Sequence, residues 1–128
     1  LLENGNANEA LKYYKRALEL EPNQVLLNIG YARALNSVGE YKSSVNLLKN
    51  VYVKDPNNDR LLRELATAYS QIGETGWASL LTAERYALYG KFKDAMHHAK
   101  RALGTSLPGS IEWLKAEDLI LDIKKMGK

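Results

Sequence analysis

The chain has 128 residues, 45% hydrophobic and 26% charged, which leaves room for one domain with a real core and excludes a disordered chain. Its formal charge of +3 is too small to argue for nucleic acid on its own, and the absence of cysteine excludes disulfides, thiolate zinc sites and cysteine nucleophiles. No apolar run approaches the ~18 residues that span a bilayer, so membrane insertion is not expected.

The chain opens on "LLENG", without an initiator Met or a signal peptide, and these residues read as the last turn of a helix belonging to a longer protein. From there, apolar spacing and turn residues predict helices near 6–20, 24–38, 41–54, 59–72, 76–89, 91–104 and 110–126. Leu27, Tyr31, Ala34, Leu35 and Val38 follow i, i+4, i+7, i+8, i+11, and Leu61, Leu62, Leu65, Ala68, Tyr69 and Ile72 repeat the theme. Nothing reads as a strand. Ser110 is placed to cap the last helix, with Glu112 in its electropositive first turn and Lys124 and Lys125 at its other end.

The helices repeat. Gly5, Gly39 and Gly73 are 34 residues apart, as are Ala10, Ser44 and Ala78, then Leu18, Tyr52 and Tyr86, and finally Pro22 and Pro56. A turn glycine ends the first helix of each unit and a proline stops the second, the order that a helix–turn–helix repeat requires. Ala10, Ala17, Ala32, Ala66, Ala83, Ala95 and Ala102 fall where neighbouring helices must approach closely. The period then breaks, because Gly90 follows Gly73 by only 17 residues and Arg85 stands where the register asks for a small side chain. Helix 76–89 therefore serves twice, closing one unit and opening the next.

By "GNANEALKYYKRALELEPN", "GEYKSSVNLLKNVYVKDPNN" and "GKFKDAMHHAKRAL" the chain resembles the tetratricopeptide repeat (TPR) family from Leu1 to about Leu103. Asn28, Ser79 and Ser44 depart from the usual pattern. The resemblance implies an all-α, right-handed superhelix of antiparallel helix pairs with a C-terminal capping helix. Its parts are a truncated first unit at 1–24, a second at 25–58, a third at 59–104 with an extra pair sharing helix 76–89, and the cap at 110–126. The ending is more particular. The turn Gly73, Gly76, Ala78, the helix residues Ala83, Glu84, Leu88, Gly90, and the cap Pro108–Ser110, Trp113, Ala116, Asp118 resemble the C-terminal TPR region of BepA-like periplasmic zinc metalloproteases. Such proteins carry an exported peptidase domain with an HExxH motif, which this chain lacks. The resemblance thus implies a bacterial, periplasmic parent protein whose zinc lies outside this segment, and no cofactor within it.

No residue set here reads as catalytic. Adjacent His97 and His98 point roughly 100° apart on a helix and cannot share an ion, so one is expected half-buried and the other solvated. There is no nucleophile elbow and no phosphate loop. Lys91, Lys93, Lys100 and Arg101 read as a solvated face rather than a nucleic-acid patch, and Phe92 as a packing residue.

What remains is the groove that such superhelices use for protein or peptide partners, as the resemblance implies. Carried onto this sequence, it is lined by Ile29, Arg33, Asn36 and Ser37, then Arg60, Arg63, Glu64, Thr67 and Gln71, then Trp77, Leu80, Leu81 and Glu84. Trp77 reads equally well as core. Gly30 occupies a position where the carboxylate clamp of chaperone-binding TPRs needs Asn, so that route is not supported. The expected function is a non-catalytic protein-interaction module of an envelope protease, with a free-standing TPR adaptor as the alternative.

Overall fold

A computed structural model describes residues 4–126, which form seven helices and, among the described residues, no strand. They are α1 (Asn4–Leu20), α2 (Val25–Ser37), α3 (Tyr41–Lys54), α4 (Asp59–Gln71), α5 (Thr75–Leu88), α6 (Phe92–Thr105) and α7 (Ile111–Met126). The expected helix that would end at Gly5 has most of its residues outside the described ones, and Gly5 itself lies in the first turn of α1.

Two kinds of turn hold the helices antiparallel. The α1–α2 and α3–α4 turns are built on Pro22 and Pro56 and are closed by asparagine. Asn28, unexpected at an apolar position, donates its amide to the carbonyls of Pro22 (3.1 Å) and Gln24 (2.9 Å). Asn58 caps α4 by accepting from the Leu61 N–H. The second kind is a glycine turn. Gly39, Gly73 and Gly90 take φ of +83°, +84° and +73°, where a side chain is strained. In each, the glycine N–H reaches back three residues and the next N–H five, as in Gly73 to Ser70 (3.2 Å) and Glu74 to Tyr69 (2.9 Å). This double return satisfies helix-end carbonyls that would otherwise be orphaned.

Proline and glycine turns alternate as far as α5. Between α5 and α6 a glycine turn stands where the alternation asks for a proline turn, and packing shifts with it. Each helix packs on the next; beyond neighbours, the backbones of α2 and α4 and then of α5 and α7 come close, while those of α4 and α6 do not. Asn36 makes the α2–α4 contact, donating to the Glu64 carbonyl (3.1 Å) and to its carboxylate Oε1 (3.2 Å).

The core runs through the middle of the stack. Ile29, Leu48, Leu61, Leu62, Leu65 and Leu81 centre one cluster, and Leu80, Ala102 and Ala116 begin a second that ties α7 to α5 and α6. Ala32, Ala83, Ala95 and Ala102 are fully buried, as close approach requires, while Ala10, Ala17 and Ala66 are half-buried. A Cβ at buried Gly76 would collide with Ser106 Oγ, so glycine there lets the α6–α7 connection lie against α5. Ser110 caps α7 as expected, its hydroxyl accepting from the Trp113 N–H. Phe92, expected to pack, is exposed at the start of α6, while α7 turns Ala116, Ile120 and Ile123 inward. Among the described residues, no helix is long and apolar enough to cross a membrane.

Candidate protein-binding groove

Because the backbones of α4 and α6 do not come close, the face between them is open and α5 forms its floor. The resulting cavity, of about 480 Å³, is lined by Arg63, Thr67, Ser70 and Gln71 from α4, by Thr75, Ala78, Ser79, Thr82 and Arg85 from α5, and by His98 and Arg101 from α6. Three guanidiniums and a row of hydroxyls face this space, and no carboxylate lines it. Two of the arginines are partly neutralised from outside. Arg85 Nε donates to Asp59 Oδ1 at 2.9 Å, and Arg63 Nε lies 3.4 Å from Glu64 Oε2. Arg101 is exposed and has no acidic partner among the described residues.

His98 is half-buried with its ring stacked on Tyr86 at 5.3 Å, while His97 is exposed. Burial, then the neighbouring His97 and Arg101, push the His98 imidazole below its ordinary value, so it enters the groove as a neutral ring near pH 7. The two histidine rings stand nearly perpendicular, and among the described residues no three His, Asp or Glu side chains converge as a metal site.

The thirteen groove positions read from the sequence do not form one surface. Arg63, Thr67 and Gln71 line the cavity, and Arg33, Ser37 and Arg60 are exposed. Asn36 and Glu64 are buried against one another, fixing α2 on α4 instead of facing a partner. Ile29, Leu80 and Leu81 are core residues, with Leu80 and Leu81 fully buried. Trp77 and Glu84 lie on the opposite side of α5. Trp77 stacks on Tyr69 (5.5 Å) and meets Tyr52 edge-on (6.3 Å). Glu84 accepts the Tyr52 hydroxyl at 2.8 Å on one oxygen and 3.0 Å on the other. The sequence reading missed Ser70, Thr75, Ala78, Ser79, Thr82, Arg85, His98 and Arg101. Its one signal was Arg85, a large cation where the repeat wanted a small residue.

Comparison with known proteins agrees with this architecture. The family model for the tetratricopeptide repeat matches residues 1–48. A 60-residue stretch is 40% identical to Tetratricopeptide repeat protein 8 of Caenorhabditis elegans, covering 47% of this chain and 12% of that protein, so the chain spans a small part of that relative. Two crystal structures of MamA share the fold. One has a TM-score of 0.61 at 19% identity over 94% of this chain and 79% of that one. The other has a TM-score of 0.62 at 17% identity over 96% and 91%.

Proposed function

We propose, from a chain folded as a tetratricopeptide-repeat superhelix, a module that binds protein segments through the open face between α4 and α6. The observation that carries this reading is the cavity lined by Arg63, Arg85 and Arg101 with hydroxyl side chains between them and no carboxylate. An extended acidic segment finds there guanidinium forks for its carboxylates and hydroxyls for its backbone. Arg101→Glu on its own, and Arg63→Gln on its own, weaken capture of such a segment in a pull-down and leave the thermal unfolding midpoint in place. Unchanged capture in both variants overturns the groove assignment. Glutamine is chosen at 63 because a second carboxylate beside buried Glu64 would disturb the fold.

The wider role we propose is that of the partner-binding C-terminal domain of a bacterial periplasmic zinc metalloprotease, handing envelope proteins to the peptidase or docking it onto an assembly machine. The cap "PGSIEWLKAED" and the "GETGWA" turn support this reading by their resemblance to that family. Zinc would be held by the peptidase domain alone. An HExxH motif and an export signal in the reading frame upstream of Leu1 support it, and a frame lacking both sinks it. The alternative is a free-standing adaptor with no protease attached.

A further inference from the structure

The glycine turn that opens the inner face also builds something on the outer one. There Ile111 and Lys115 of α7 share with α3 and α4 the lining of a second cavity of about 420 Å³. Its walls are Tyr52, Leu65, Tyr69 and Trp77, and its rim carries Val53 and Ile111, 79% and 65% exposed. Two aliphatic side chains left in water at the mouth of an aromatic hollow are an unpartnered apolar surface rather than scattered exposure. The volume falls in the ~300–1,000 Å³ range of pockets that enclose a ligand.

Charge decides what fits. Lys49 and Lys115 line the cavity and no carboxylate does; the Lys115 ammonium sits 5.2 Å from the centre of the Tyr52 ring. Glu84, the acid beneath, has both oxygens engaged by the Tyr52 hydroxyl, and Asp55 accepts from Asn58. Glu74 and Glu112 act on the Tyr69 hydroxyl but lie outside the lining.

We infer that this pocket is a second docking site, taking one aromatic side chain of a partner's segment whose flanking residues are acidic. The ring seats against Trp77 and Tyr69, and the flanking carboxylates meet Lys49 and Lys115. The site faces away from the α4–α6 groove, so it stands or falls independently of that assignment.

The probe is an acetylated and amidated pentapeptide with a central Phe between two Glu on each side, titrated into the labelled protein and followed by ¹⁵N–¹H NMR. Saturable shifts of the Trp77 indole and of the Lys49–Val53 amides are expected. Replacing the Phe by Ala, or the Glu by Lys, abolishes them. Val53→Glu and the pair Lys49→Glu with Lys115→Glu weaken binding about tenfold or more, because they place negative charge at the rim. Val53 is exposed, so its variant folds. Lys42→Glu, exposed and outside both cavities, leaves the affinity unchanged. The inference is overturned if the peptide shifts Thr67, Thr82 and His98 instead, or shifts nothing at millimolar concentration. It is also overturned if the Trp77 resonance moves with protein concentration alone and Val53→Glu abolishes that movement, which assigns the pocket to a second copy of the chain.

Discussion

At the scale of single residues, the buried acids carry the most information. Burial pushes the Glu84 carboxyl above its ordinary value, while the Tyr52 hydroxyl and the Lys115 ammonium pull it back. The Tyr52 phenol is pushed up in turn, by burial and then by Glu84, and stays a donor throughout the neutral range. A carboxyl whose value is higher folded than unfolded holds its proton longer in the fold. Stability therefore declines as pH rises from the unfolded carboxylate value through the folded one. Tyr52→Phe removes the one hydrogen bond to the charged form and deepens that decline. We expect it to cost about 2 kcal/mol at pH 7 and markedly less at pH 4, where Glu84 is protonated in both proteins. Urea melts at the two pH values check this; equal losses would mean that the hydroxyl does not act through Glu84. Asn36 makes a complementary case. Its amide N–H₂ is fully used by Glu64 and its own carbonyl oxygen has no partner, so this side chain holds two helices together at a cost.

At the scale of elements, punctuation was legible and orientation was not. Every helix lies within a residue or two of the sequence reading, because glycine and proline each have one physical reason to stand where they do. The glycine turns make that reason measurable. An added Cβ at Gly73 or Gly90 meets nothing within 4 Å, so Gly→Ala there costs conformational strain alone, about 1 kcal/mol each. Losses from Gly73→Ala and Gly90→Ala should add in the double variant, as the two turns sit at opposite ends of α5. A denaturation series on the three proteins tests it, and a negligible loss at either glycine contradicts the left-handed geometry. The orientation of α5 is another matter. From Gly76 to Ala87 no residue is exposed, and with Glu84 on one face and Arg85 on the other there is no single polar side by which its faces could be told apart. The sequence reading treated α5 like the helices before it and assigned Trp77, Leu80, Leu81 and Glu84 to the partner's side. The polar groove instead lies on the face of Ala78, Ser79, Thr82 and Arg85.

At the scale of the whole molecule, stability is distributed as in a one-dimensional stack, each helix answering mainly to its neighbours. The final helix, α7, is held by α5 and α6 through Ala83, Ala99 and Ile120. Ile120→Ala should lower stability by about 2 kcal/mol and speed amide exchange in α7, with α2 and α3 little changed. Hydrogen exchange read helix by helix decides this, and uniform acceleration would show a single cooperative unit instead. The same nearest-neighbour logic explains why the repeat was readable and the binding face was not. Local turns specify which helices are adjacent, whereas a groove depends on which helices keep their backbones apart, here α4 and α6.

The extra glycine turn puts an inflection into the stack. Up to α4 the alternate helices that approach are α2 and α4; from α5 onward they are α5 and α7. A step of 17 residues, half the repeat, suffices to move the approach of alternate helices from the even-numbered set to the odd-numbered one.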